Sequence, residues 1–160
     1  MTDNSSSLSS NELSDYQKLV LDPYVQERLT SSKRVILAFL QAIAEGNIDG
    51  IGATLRNDAQ WWVPPSARNH IDYPIIGADG VVRLVSGETL KTFMPGTTTW
   101  TIRHLVEDGD MISAHVNRDA RGSNGNSYEN EYNLLFRLVS NQIAEAWEVV
   151  DTSHARAQLD

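Results

Sequence analysis

The residues predict an α+β domain. Apolar positions recur at helical spacing through the first third of the chain, strict alternation fills the last third, and Gly/Asn-rich turns punctuate the alternating runs. Helices followed by a hairpin-rich antiparallel sheet give a domain whose helices pack on one sheet face.

Residues 1–13 are rich in Ser and Asn and read as a disordered tail, which leaves a single domain over 14–155. From Asp15, Tyr16, Leu19 and Val20 predict a short helical piece, and Pro23 fits the first turn of a second that carries Tyr24, Val25 and Leu29. The strongest helix starts at Thr30 or Ser31, either of which can cap it. It lines Val35, Ile36, Phe39, Leu40 and Ile43 on one stripe and ends at Gly46. Asn47 caps a further helix through Leu55, with Ile48, Ile51 and Leu55 in phase, closed by Asn57-Asp58. Ala59–Val63 reads as a short strand that Pro64-Pro65 stops, and a loop of about twelve residues follows. Gly77, Asp79 and the run Val81, Val82, Leu84, Val85 predict a helix over roughly 78–90.

Thr97–Val106 begins the sheet, and 111–120, 128–139 and 142–151 form three antiparallel strands, turned at Gly122–Asn126 and at Ser140-Asn141. No internal repeat is present.

Composition narrows the function. Of 160 residues 41% are hydrophobic and four are Trp, enough for one core with apolar surface left for a pocket. A net charge of −8 with no basic run argues against nucleic acid and against anionic membranes. Absence of Cys excludes disulfides, thiolate metal sites and a Cys nucleophile. The polar start lacks a signal-peptide pattern and no segment approaches a membrane span, so a cytoplasmic protein is expected. Four scattered His residues, carboxylates that do not cluster and the lack of a phosphate loop or nucleophile elbow leave no metal and no cofactor in the expected chemistry. His70, beside Arg68 and Asp72, and His154 read as solvated.

The candidate site lies in the last three strands. Ser113, His115, Asn117 and Asp119 share one face of the first, opposite Ile112, Ala114 and Val116. Glu148 shares a face with Ala144, Ala146 and Val150, opposite Ile143, Trp147 and Val149. A carboxyl among small apolar neighbours is costly to ionise and useful for acid/base work. The polar row fits the solvent face of a sheet equally well, and Glu148 fits a structural ion pair with Arg118 or Arg121. Trp61 and Trp62 alternate faces, so one lines a pocket and the other packs elsewhere. Tyr132, on the face of Asn130 and Leu134, offers a hydroxyl to a ligand or to the core.

Three stretches carry a resemblance over residues 31–151: Ala44–Ile51 followed by Asn57–Trp62, the helix start Ile76–Val81, and Tyr128 through Asp151, which ends Ala-Trp-Glu-Val-Val-Asp. Their order and spacing resemble the nuclear transport factor 2-like superfamily, in particular its SnoaL-like and ketosteroid isomerase-like branch. The resemblance implies a cone-shaped, strongly curved antiparallel or mixed sheet with three or more N-terminal helices on its concave side, a cystatin-like α+β barrel. It also implies a small, mostly apolar ligand at the mouth of the cone and a homodimer through the outer sheet face, here Ile143, Trp147 and Val149.

The end of the chain looks most like limonene epoxide hydrolase. Its Arg and first Asp correspond to His115 and Asn117, its last-strand Asp to Glu148, and its water-holding Tyr and Asn to Trp61 and Val63. These changes remove that enzyme's route. The ketosteroid isomerase Asp falls near Val63, and the Asp/His pair of polyketide-cyclase relatives has candidates in His104, His115 and Asp119. The expected function is therefore a cofactor-independent isomerase, dehydratase, cyclase or hydrolase acting on a small hydrophobic, often cyclic molecule. In it His115 is the base, Glu148 or Asp119 its partner, and Asn117 a hydrogen bond to substrate. Trp61, Val63, Tyr132, Asn130, Phe39 and His104 line the ligand site. The alternative is a non-catalytic ligand-binding or dimerising module of the same fold.

Overall fold

A computed structural model describes residues 6–10, 12, 15–70 and 73–160, with the side chains of 69 and 70 left aside. The expectations for much of the tail and for Asp72 lie outside the described residues, as does the one for the His70 side chain. Of the tail, Ser6 N donates to Leu29 O at 2.8 Å and Leu8 packs against the core.

The chain runs β1 (Leu19–Leu21), α1 (Pro23–Gln26), α2 (Ser31–Glu45), α3 (Ile48–Ala53) and β2 (Leu55–Trp62). It continues through a 3-10 helix (Pro65–His70), β3 (Ile75–Ile76), α4 (Ala78–Val85), β4 (Thr99–Asp108), β5 (Met111–Arg121), β6 (Ser127–Val139), β7 (Gln142–Val150) and α5 (Thr152–Leu159). Among the described residues this makes five helices and one curved, unclosed mixed sheet of seven strands, ordered β1-β4-β5-β6-β7-β2-β3. The strands from β4 to β7 pair antiparallel, while β1 joins β4 and β2 joins β7 in parallel. No described helix is long and apolar enough to cross a membrane.

Helix ends follow local chemistry. Asp22 Oδ1 accepts from Tyr24 N with Pro23 in the first turn, Thr30 Oγ1 accepts from Lys33 N at 3.2 Å, and Asn47 Oδ1 accepts from Gly50 N at 2.9 Å. Gly46 closes α2 at φ 67°, a left-handed conformation that costs glycine nothing.

Three expectations are corrected, and a helix that the sequence reading did not include closes the chain. Leu19–Leu21 is a strand because it pairs with Trp100–Ile102 and gains a ladder that an isolated turn of helix lacks. Strand β2 begins at Leu55, so Asn57-Asp58 lies inside a strand rather than closing a helix. Helix α4 stops at Val85, before Gly87 at φ 84°. The C-terminal residues form α5, capped by Asp151 Oδ1 on His154 N at 2.9 Å.

Bulges decide which residues face inward. Past Arg103 in β4 the buried positions change from even (Trp100, Ile102) to odd (Leu105). In β7 the register breaks between the Arg137/Glu145 and Leu138/Ile143 pairs, leaving Ala144 over. Ile143 therefore turns into the core at 1% exposure, so it is not part of the outer face with Trp147 and Val149.

The core centres on α2 lying across the sheet. Phe39 meets Trp61 and Phe136 with ring centroids 5.9 and 5.8 Å apart, and Trp61 meets Phe136 edge-on at 6.4 Å. Truncating Phe39→Ala opens a void against the Trp61 and Phe136 rings and is expected to cost about 3–5 kcal/mol in urea unfolding. A loss below about 1 kcal/mol, the size of an ordinary point change, contradicts this packing.

Candidate active site

Between the concave sheet face, α2 and the segment that follows α4 lies a cavity of about 250 Å³. Its wall is mostly apolar, with Leu40 and Ile43 from α2, Leu84, Leu90 and Phe93 from α4 and its following loop, and Ala155 and Leu159 from α5. Four lining side chains ionise: Arg118, Tyr128, Tyr132 and Glu148.

Glu148 reaches the chamber because β7 alternates normally beyond its bulge. Trp61 pairs with Ala146 on the adjacent parallel strand, and its indole Nε1 donates to Glu148 Oε2 at 3.0 Å. Burial raises the Glu148 pKa above the ordinary 4.5, against the opposing Trp61 hydrogen bond and the Arg118 charge. Desolvation wins. The carboxyl therefore holds its proton to higher pH than an exposed glutamate and is a stronger base once ionised.

Arg118 lies opposite Trp100 on β4, in phase with Ile112, Ala114 and Val116 on the inward side of β5. Its Nε and Nη2 both donate to Thr98 Oγ1, at 3.2 and 2.9 Å. Its guanidinium carbon sits 3.9 Å from the Phe93 ring centroid and 5.1 Å from that of Trp100. Tyr128 and Tyr132 share a hydrogen bond of 2.6 Å between their hydroxyls. Burial pushes both phenols up, Tyr132 furthest, so both stay neutral hydrogen-bonding groups.

The structure separates the residues expected to work together. His115, Asn117 and Asp119 lie on the outer face, so the anticipated pairing of His115 with Glu148 is not formed. The strict alternation of β5 forbids it, since positions in phase with Arg118 point inward and the odd row points away. His104 also lies outside, stacked on His115 at 7° with their Nδ1 atoms 3.1 Å apart, and Glu131 approaches His115 Nε2 at 3.8 Å. Asn117 Nδ2 donates to Asp119 Oδ2 at 3.3 Å.

Among the expected lining residues, Trp61 and Tyr132 border the cavity. Phe39, Val63 and Asn130 are buried without lining it, and Asn130 Nδ2 instead donates to Asp151 O at 2.9 Å. Trp62 packs edge-on against Tyr73 at 5.2 Å on the other side of β2. His154 heads α5 with Glu129 at 3.7 Å. Arg118, Tyr128, Trp100 and the 84–96 segment were missed as lining. The available signal was a charged residue standing in the apolar phase of β5.

Residues 36–146 match the SnoaL-like domain. The chain belongs to the SnoaL-like family. No curated protein matches it. Among solved structures, an NTF2-like protein of unknown function from Burkholderia pseudomallei superposes with a TM-score of 0.70 at 16% identity, covering 82% of this chain and 98% of that one. TerC co-crystallised with polyporic acid gives 0.71 at 15% identity over 81% and 98%. IdmH, a candidate polyketide cyclase from Streptomyces antibioticus, gives 0.66 at 20% identity over 80% and 97%. At these identities the likeness is one of fold.

The raised pKa of Glu148 has a signed consequence. From pH 4.5, where the unfolded chain's glutamate ionises, up to the higher folded value, the folded state binds the extra proton. Stability therefore falls as pH rises through that window, and the penalty is complete above it. Glu148→Gln keeps an acceptor for Trp61 and is expected to flatten this fall and to exceed the wild type in alkaline thermal melts. Parallel pH–stability curves for the two proteins rule out a desolvated carboxyl.

Proposed function

We propose that this protein is a small-molecule enzyme of the isomerase or cyclase type, in which Glu148 moves a proton within the apolar chamber. The observation that carries this reading is a single desolvated carboxyl, fixed by Trp61, facing a cavity of about 250 Å³. The substrate is a compact, mostly apolar molecule with a carbonyl group. Ionised Glu148 takes a proton from the carbon beside the carbonyl, the electron pair passes to the oxygen as an enolate, and the proton returns at another position or after ring closure. The Tyr132 hydroxyl, neutral and paired with Tyr128, supplies a hydrogen bond to that oxygen. IdmH, named as a candidate polyketide cyclase, and TerC, crystallised with polyporic acid, support the reading through shared fold.

Exchange of the α-hydrogens of 1-tetralone in heavy water, followed by proton NMR, tests it. The protein is expected to accelerate exchange, Glu148→Gln to lose about 10²–10⁴-fold of that acceleration, and His115→Ala on the outer face to keep it. Undiminished exchange in a folded Glu148→Gln variant sinks the role of Glu148.

One observation favours the competing reading, a non-catalytic binding module: among the described residues the cavity lining pairs Glu148 with no second carboxylate and no histidine. Saturable tetralone binding with no exchange selects that reading.

The outer sheet face supports a homodimer. Trp62, Trp147 and Leu135 form one cross-strand row, Val149 beside it is 66% exposed, and Val106 is 62% exposed. Light scattering is expected to give twice the chain mass at micromolar concentration and the single-chain mass for Val149→Arg. A monomeric wild type contradicts the assembly.

A further inference from the structure

Arg118 brings a positive charge into the chamber, and Glu148 acts on it through space without contacting it. Among the described residues it forms no ion pair, and its Nε and Nη2 both donate to one neutral oxygen, Thr98 Oγ1. Its Nη1 takes no part in those two bonds, and the Tyr132 hydroxyl hydrogen-bonds the same guanidinium. The faces of Phe93 and Trp100 shield the cation from water without neutralising it. Among the described residues Glu148 is the one acid lining the cavity, and it bonds Trp61 rather than the guanidinium. A partly buried cation without a carboxylate in contact gains from a ligand that brings one.

We propose that the ligand supplies it: the cavity takes a carboxylate carried on a compact apolar body, with the anion against the open edge of the Arg118 guanidinium and the body among Leu40, Ile43, Leu84 and Phe93. The guanidinium fork matches a carboxylate in plane and spacing, and Thr98 fixes its orientation from behind. Thr98, 4% exposed, acts as a positioning residue. Desolvation that disfavours ionised Glu148 also keeps it from competing for Arg118, and a bound carboxylate strengthens that effect. Substrate acid and enzyme acid thus occupy separate partners.

The inference rests on the cavity being the ligand chamber, and its test separates from that of proton transfer. Calorimetric titration at neutral pH compares 2-naphthoate with 2-naphthamide, equal in shape and different in charge. The wild type is expected to bind the acid at least tenfold more tightly. Arg118→Met loses that preference and keeps amide affinity within about threefold. Thr98→Val, which leaves the charge in place, weakens acid binding severalfold and spares the amide. Glu148→Gln keeps or increases the preference for the acid even where it abolishes tetralone exchange. Equal affinity for acid and amide, no detectable binding of the acid, or a preference that survives in Arg118→Met overturns the proposal. If Arg118→Met does not fold, Thr98→Val decides, and an unchanged acid-to-amide ratio there overturns it as well.

Discussion

The site depends on one hydrogen bond across two parallel strands, from Trp61 Nε1 to Glu148 Oε2. It exists because β2, early in the chain, closes on β7, the last strand in sequence, and sets Trp61 opposite Ala146, two residues from Glu148 on the same face. A parallel contact of that sequence separation cannot form by a tight turn, so the α2-α3 pair must first return the chain to the far edge of the sheet. The Phe39, Trp61 and Phe136 cluster holds this arrangement from below. The same indole thus belongs to the core through its ring and to the chamber through its N–H.

That arrangement leaves Glu148 desolvated but not orphaned, which is the condition for a shifted and still functional carboxyl. Around it the chamber is closed by parts contributed late in the chain. Helix α5 covers the mouth with Ala155 and Leu159, and Gln158 clamps it to the β5-β6 hairpin. Gln158 Oε1 accepts from Glu129 N at 2.8 Å, and its Nε2 donates to Glu129 O at 2.9 Å. Gly122 permits the approach, since a Cβ there would stand 2.8 Å from Leu159 Cδ2. The chamber therefore combines a rigid floor of sheet with a roof made from a short helix and the loop after α4.

Much of the fold was legible because its signals are local. Thr30 and Gly46 bound α2, Asn47 caps α3, and the turns at Gly122–Asn126 and Ser140-Asn141 join β5, β6 and β7 as expected. Glu148, Trp61 and Tyr132 were legible as cavity residues, the first because a lone acid among small apolar neighbours is a chemical anomaly. The rest was hidden by facts that no local pattern carries. Alternation gives two faces without saying which is concave, and the polar row of His115, Asn117 and Asp119 went to the outer one. Bulges at Arg103 and Ala144 reversed the phase of β4 and turned Ile143 inward. Strand β1 exists through its pairing with Trp100–Ile102, and α5 through its docking on the hairpin. Arg118 could have been found: a charge in phase with Ile112, Ala114 and Val116 is as anomalous as Glu148.

The interior of the cone holds Glu148 protonated to higher pH than an ordinary glutamate. Infrared difference spectra recorded across a pH titration read this directly, through the carbonyl stretch of protonated carboxylic acids. Subtraction of Glu148→Gln isolates the residue. A protonated-carboxyl band is expected to persist above pH 4.5 in the wild type and to be missing from the variant. A Glu148 band that titrates at or below that value contradicts it.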